Sequence, residues 1–215
     1  MNRLQAQIHA SPPATSSDFD RAYRALFTVW GDIRVPPEIV QLAATATPLR
    51  VLELGCGVGR FSRAVVRAGH RVVAVDFSPV AIDKARARVA RDERRPDFRV
   101  GDVTNLHELQ GPFDVSFDVG CFHCLDTVQQ TRYVAELHRL LEPGGTHLLW
   151  ALDTPPSGIP LSPVAVENVF GESFRLDRQA PSRRRLARSH WYWLVRANQS
   201  SPQNPSESAA RDAPR

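Results

Sequence analysis

Along this 215-residue chain the spacing of apolar positions keeps switching between two periods. "RVLEL" (50–54) and "RVVAVD" (71–76) are apolar runs of strand length, and "DFRVGD" (97–102), "FDVSFDVG" (113–120) and "THLLWAL" (146–152) repeat the signal. The segments between them carry helical spacing. "PPEIVQLAA" (36–44) opens on prolines, which a first helical turn tolerates. "GRFSRAVVRAG" (59–69) puts Phe61, Ala64, Val65 and Ala68 on one face and stops at Gly69. "SPVAIDKARARVAR" (78–91) begins with Ser78 as N-cap and Pro79 in the first turn. "TVQQTRYVAELHRLL" (127–141) aligns Val134, Leu137 and Leu141 and ends at "EPGG". "DFDRAYRALFTVW" (18–30) and "SPVAVENVF" (162–170) read as further helices, "FRLDRQ" (174–179) and "SHWYWLVRA" (189–197) as closing strands.

This alternation predicts an α/β fold: one doubly wound, mostly parallel sheet covered on both faces. No helix separates the last two strands, so they are expected to pair antiparallel as a hairpin at one edge. Residues 1–17 and 198–215 are rich in polar and small residues and in proline, and lack periodicity. They read as disordered tails around a single domain, 18–197.

Composition narrows the class. A hydrophobic content of 42% allows a real core. No apolar run is long enough to span a bilayer, and the first residues lack a secretory h-region, so a cytoplasmic protein without membrane contact is expected. The net charge of +4 comes largely from "RARVARDERR" (86–95) and "SRRRLAR" (182–188). Neither run carries interleaved aromatics, so both read as solubility features, and no nucleic-acid partner is expected. The three cysteines are Cys56, Cys121 and Cys124. An odd count argues against a disulfide framework, and "CFHC" (121–124) lacks the second pair a structural zinc needs, so no metal is expected.

The candidate chemistry sits at the strand ends. "VLELGCGVGR" (51–60) places Gly55, Gly57 and Gly59 directly after the first strand, where a doubly wound sheet binds its ligand. A dinucleotide fingerprint starting at Gly55 would need glycine at position 60, which is Arg60. Glu53, two residues before the first glycine, would oppose a pyrophosphate but suits a ligand with a cationic centre. Asp76 ends the second strand, placed to accept both ribose hydroxyls of an adenosine, and Asp102 follows the third, placed to accept the adenine amine. Three acids at successive strand ends fit an adenosyl sulfonium better than a dinucleotide.

These stretches, with "VGDV", "FDVSFDVGCFH" and "RLLEPGGTHLL", resemble the successive motifs of class I S-adenosylmethionine-dependent methyltransferases over residues 20–197. The resemblance implies a seven-stranded Rossmann-like sheet whose last strand inserts antiparallel, with S-adenosylmethionine (SAM) as cofactor and S-adenosylhomocysteine as product. It implies that Glu53, Gly55, Cys56, Gly57 and Gly59 surround the methionine portion. Asp76 would take the ribose, and Phe77, Asp102 and Val103 the adenine. Asp118 and Gly120 would border the sulfonium and the acceptor.

The acceptor is less constrained, because transfer from sulfonium depends largely on alignment. The start of the chain resembles the lid of the thiopurine, thiol and tellurite-resistance branch, with Trp30 near the cofactor, although "GDIRVPP" spaces its prolines further from Gly31 than that branch does. His123 is the candidate general base in the loop after the fourth strand, or a ring that positions substrate. The chain carries no separate target-recognition domain, which predicts a small-molecule acceptor, through sulfur or oxygen, and a monomer or homodimer. A methyltransferase acting on a metalloid oxyanion, a non-catalytic SAM-binding protein and a nicotinamide oxidoreductase are the alternatives.

Overall fold

The computed structural model describes residues 16–24, 34–89, 94–155, 157–182 and 188–198. The chain begins with α1 (Ser16–Arg24) and α2 (Pro37–Ala43), then alternates: β1 (Arg50–Leu54), α3 (Arg60–Arg67), β2 (Arg71–Asp76), α4 (Pro79–Ala87), β3 (Asp97–Val100) and β4 (Phe113–Val119). A single 3-10 turn (Phe122–Cys124) leads into α5 (Thr127–Leu140), followed by β5 (Leu141–Leu152), α6 (Pro163–Phe170), β6 (Phe174–Pro181) and β7 (Ser189–Arg196).

The strands form one seven-stranded sheet in the order β3-β2-β1-β4-β5-β7-β6. β1 to β5 pair in parallel. β7 slots between β5 and β6, antiparallel to both, which is the closing hairpin the missing helix predicted. Adjacent residues of each central strand face opposite cores. Val51, Phe117, Leu148 and Trp191 meet Ile39, Val65 and Ile82 from α2, α3 and α4. Leu52, Leu149 and Tyr192 meet Tyr133, Leu137, Val166 and Phe170 from α5 and α6. Burial on both faces is why these strands read as unbroken apolar runs rather than alternating ones.

Helix boundaries follow their capping chemistry. The Ser78 hydroxyl accepts from the Ala81 amide at 3.1 Å, with Pro79 leading α4. Asp126 and Gln129 exchange side-chain and backbone bonds in a capping box that starts α5. Three details depart from the sequence reading. The buried face of α3 is Ser62, Val65 and Val66, while Phe61 and Ala64 are half-buried and Ala68 is exposed. The helix is rotated because Ser62 turns inward to a buried carboxylate partner. β5 starts at Leu141, which pairs with Phe113 before residues 142–145 bulge out and pairing resumes at Val115–Thr146. α1 begins at Ser16, two residues inside the expected tail, whereas Trp30 lies outside the described residues.

Candidate functional site

Strand order reverses at β1, whose neighbours are β2 and β4, so a crevice forms above the carboxyl ends of these three strands. Glu53, Asp76 and Asp118 stand there, each at most 4% exposed. Among the described residues no lysine, arginine or histidine forms an ion pair with any of them. Burial pushes the Glu53 carboxyl up to about 8, with the neighbouring Asp76 and Asp118 charges adding to it, against the hydrogen bond donated by the Ser62 hydroxyl. Burial also raises Asp76 and Asp118, each to about 6, against the bonds their oxygens accept. Such a cluster of uncompensated buried carboxylates is costly, and a ligand that brings positive charge relieves it. A sulfonium with an ammonium group fits; a pyrophosphate would worsen the repulsion.

The glycine turn runs from the end of β1 into α3. Asp76 ties it to the neighbouring strand: Oδ2 accepts from the Gly57 amide at 2.7 Å and Oδ1 from the Ser78 amide at 2.9 Å. Gly55, Gly57 and Gly59 all have positive φ. A Cβ on Gly55 would lie 2.4 Å from the Cys121 Cβ, so this glycine lets the loop after β4 close against the turn. A Cβ on Gly59 would lie 2.4 Å from the Phe98 ring and 3.1 Å from the Ala85 Cβ. Gly59 therefore serves the packing of α4 and β3 beneath the turn, where the sequence reading had it clearing space for the ligand. Cys56 is buried, its thiol 3.7 Å from the Gly57 carbonyl oxygen.

α1 lies across this turn. The Tyr23 hydroxyl sits 2.9 Å from where a Gly57 Cβ would be. The Ser78 hydroxyl donates to Asp20, Lys84 donates to the Tyr23 carbonyl, and the Phe19 and Phe77 rings meet edge-on at 5.0 Å. Phe77 remains partly exposed at the end of β2. Asp102 is exposed, with the Thr104 amide and hydroxyl both donating to Oδ1 at 2.8 Å, and Val103 beside it is buried.

Asp118 is engaged on both oxygens. Oδ1 accepts from the Cys121 amide at 2.7 Å; Oδ2 accepts from the Phe122 amide at 2.8 Å and the Tyr133 hydroxyl at 2.9 Å. It fixes the loop that carries Gly120, Cys121 and His123. Behind Tyr133 lies His147, fully buried, 3.3 Å from the Tyr133 hydroxyl and 2.8 Å from the Ser116 hydroxyl. Burial pulls its imidazole down to about 3, so it is neutral and links Ser116 to Tyr133. Gly120 gives room for the His123 ring, 3.3 Å from a Cβ there, and His123 meets the Trp150 ring edge-on at 5.7 Å. Burial raises the Cys56 and Cys121 thiols well above the usual range and Cys124 to about 12, so all three are protonated at neutral pH.

Sequence reasoning therefore placed Glu53, Gly55, Cys56, Gly57, Asp76 and Phe77 at one crevice, with Gly120 and His123 at its β4 side and Asp102 and Val103 after β3. It missed Ser62, Tyr133, His147 and Tyr23. Tyr133 and Ser62 share helix faces with apolar residues, which is the one signal they gave.

Two cavities of about 320 and 720 Å³ open on the opposite side of the molecule, lined by Arg86, Arg95 and Asp97 and by Arg50, Arg71 and Arg94 among others. They share no residue with the crevice.

Residues 51–145 match the family described as "Methyltransferase domain". The chain is 31% identical over 179 residues to the ubiquinone biosynthesis O-methyltransferase of Xanthomonas campestris pv. campestris, covering 75% of this chain and 74% of that one. It is 32% identical over 159 residues to the demethylmenaquinone methyltransferase of Clavibacter sepedonicus, covering 73% and 62% respectively. Among solved structures, the N-methyltransferase NodS of Bradyrhizobium japonicum in complex with S-adenosylhomocysteine superposes with a TM-score of 0.73 at 16% identity, covering 86% of this chain and all of that one. With its acidic crevice, its glycine turn and these relatives, the chain belongs to the class I SAM-dependent methyltransferases.

Proposed function

We propose that this enzyme methylates a hydroxyl or thiol of a small organic molecule. The observation that carries the cofactor half is the set of three buried carboxylates that pair with no cation among the described residues. S-adenosylmethionine supplies a methyl group already activated on a positively charged sulfur. In this reading Glu53 offsets the positive charge of the donor, with Gly55, Cys56 and Gly57 beside it. Asp76 takes the ribose hydroxyls while holding the turn in place. Phe77 and Val103 flank the adenine and Asp102 takes its amine. α1 covers the crevice and excludes water. Asp118 acts by shaping the loop, so that Gly120 and His123 border the acceptor.

A small acceptor is supported by the quinone-pathway relatives, one of them named for O-methyl transfer.

The test is transfer of a labelled methyl from SAM to a panel of phenols, aliphatic thiols and a duplex oligonucleotide. Label in phenols or thiols alone supports the reading. Label in the oligonucleotide alone overturns it.

A further inference from the structure

A chain of polar side chains runs through the otherwise apolar core between the sheet and α5. Ser116 and Asp118 sit on one face of β4, and His147 on β5 is the register partner of Ser116. The Ser116 hydroxyl lies 2.8 Å from His147 Nδ1, and His147 Nε2 lies 3.3 Å from the Tyr133 hydroxyl. Tyr133 in turn donates to Asp118 Oδ2 at 2.9 Å. None of the four exposes any surface. Aromatic rings close the chain in: Phe170 of α6 stacks on His147 at 6.1 Å, and Phe122 meets Tyr133 at 5.0 Å and Phe170 at 5.2 Å. Ser116 is the dead end. Asp118 is the way out, because its oxygens also accept from the Cys121 and Phe122 amides. Apolar side chains of similar shape would serve the core about as well, so what the chain does lies at its Asp118 end.

Counting protons gives the chain one direction. An ionised Asp118 only accepts, so the single Tyr133 proton points at Oδ2. The Tyr133 oxygen then accepts from His147, whose Nε2 must carry a proton. Burial keeps this imidazole neutral, pulled down to about 3, so it has that one proton and no other. Nδ1 therefore holds a lone pair and accepts from the Ser116 hydroxyl. Burial beside Asp118 raises the Tyr133 hydroxyl well above its usual range, so its proton stays in place. In the opposite order the Tyr133 oxygen would turn a lone pair on the carboxylate. Bonds that run head to tail polarise one another, so the bond His147 donates strengthens the one Tyr133 donates. The other ionisable groups within electrostatic reach of Asp118 are Glu53 on β1 and the Cys121 and Cys124 thiols of its own loop. None of these side chains donates to its oxygens, which leaves the carboxylate to Tyr133 and the loop amides.

We propose that His147 is a positioning residue for methyl transfer: as the Nε2–H tautomer it commits the Tyr133 hydroxyl to Asp118, and the ionised Asp118 holds the loop 120–124 in the shape that borders the acceptor. This rests on the methyltransferase reading above. His147 touches neither substrate nor cofactor. Without it Tyr133 is a weaker donor, and Asp118 takes up a proton at higher pH. A protonated Asp118 gives up a lone pair that its partners use, and the loop loosens. The cofactor carboxylates are held by other groups, Glu53 by Ser62 and Asp76 by the Gly57 and Ser78 amides, so the cofactor subsite stands outside the chain. The signature is a loss on the acceptor side alone, present at low pH and absent at high pH. One bond in such a chain strengthens its neighbour by roughly a tenth to a third, which corresponds to a shift of about 0.5–1 pH unit at Asp118.

The experiment compares wild type, His147→Gln and the double variant Ser116→Ala with His147→Leu, which leaves no serine hydroxyl unpaired. The glutamine amide can donate to Tyr133 and its carbonyl can accept from Ser116, so that variant preserves the order of the chain. Carbon-13 and nitrogen-15 shifts of the labelled His147 ring read the tautomer at pH 8, and the Asp118 carboxyl carbon reads its titration. Wild type is expected to show Nε2–H. The Asp118 midpoint is expected near 6 in wild type and in His147→Gln, and about 0.5–1 unit higher in the double variant. Transfer at saturating SAM to catechol and to 2-mercaptoethanol, or failing both to whichever member of the phenol and thiol panel wild type methylates, gives kcat/KM for the acceptor. Relative to wild type, the double variant should lose about 3–8-fold at pH 5.5 and almost nothing at pH 8, as that midpoint shift implies. Its affinity for S-adenosylhomocysteine should match wild type. An Nδ1–H tautomer in wild type, which needs no variant to fold, overturns the proposal, as does an Asp118 midpoint equal in wild type and the double variant. A loss of the same size at every pH, or one that His147→Gln shares in full, also overturns it, since a merely structural histidine would give that result. A shifted midpoint with unchanged transfer overturns the positioning role. No transfer by wild type to any small molecule overturns the broader reading, and the tautomer and titration still judge the hydrogen-bond chain.

Discussion

Binding of SAM should release a proton from Glu53. In the free protein burial holds this carboxyl at about 8, against an ordinary value of 4.5. At pH 7 the un-ionised form is therefore in about tenfold excess. A cationic ligand favours the carboxylate, so the proton leaves as the ligand binds. Affinity should then fall toward tenfold per pH unit below 8, about 50-fold between pH 8 and 6, or about 2.3 kcal/mol. Asp76 and Asp118 join in only near pH 6, which leaves the window from 6 to 8 to Glu53. Calorimetric titration with SAM in buffers of different ionisation enthalpy reads the proton count directly. Close to one proton released at pH 7 is expected, and Glu53→Gln should flatten the affinity across this window. An affinity that stays constant from pH 6 to 8 with no proton release would refute the reasoning, because Glu53 would then not sense the ligand's charge.

The same carboxylates set the stability of the free protein. Their folded-state values lie above the unfolded ones, so their favourable contribution is complete below about pH 4 and is lost as pH rises through 6 for Asp76 and Asp118 and through 8 for Glu53. The Tm of the free protein should decline from pH 5 to 9, and Glu53→Gln should remove the step near 8. Ser62→Ala removes a hydrogen bond that lowers the Glu53 value, so the pH dependence of SAM binding should shift to higher pH in that variant. Gly59→Ala forces a side chain into positive φ and into the Phe98 ring, and chemical denaturation should show a loss of at least about 2 kcal/mol. Tyr133→Phe leaves Asp118 short of a donor and should cost roughly 1–3 kcal/mol in the same assay, with weaker turnover as the loop after β4 loosens.

The strands were legible because burial on both sheet faces leaves runs such as "RVVAVD" with no polar interruption until the acid at the end. Ser78–Pro79 marked a helix start by chemistry that is local, and local chemistry survives in one dimension. Glu53 and Asp76 were legible as candidates because strand ends are where this architecture gathers its ligand groups. What stayed hidden depends on distant pairs. Asp118 read as a residue bordering the sulfonium, yet Tyr133, 15 positions later, and two amides of its own loop engage its oxygens. Gly59 read as ligand space, yet Phe98 fills that space from β3. His190 looked like one more strand residue, because nothing in "SHWYWLVR" announces that Asp153, 37 positions earlier, holds its ring. The rotation of α3 came from one serine reaching Glu53, a polar contact that overrides the apolar spacing.

The most direct test of the account is a calorimetric titration of the purified protein with S-adenosylhomocysteine and, in parallel, with NAD, repeated on Asp76→Asn with folding checked by circular dichroism. The account predicts one S-adenosylhomocysteine bound per chain, no heat with NAD, and affinity reduced at least about 100-fold in the folded variant, as expected when a charged hydrogen-bond partner of the ligand is lost. Binding of NAD in place of S-adenosylhomocysteine, or a folded Asp76→Asn that binds as tightly as wild type, would contradict it.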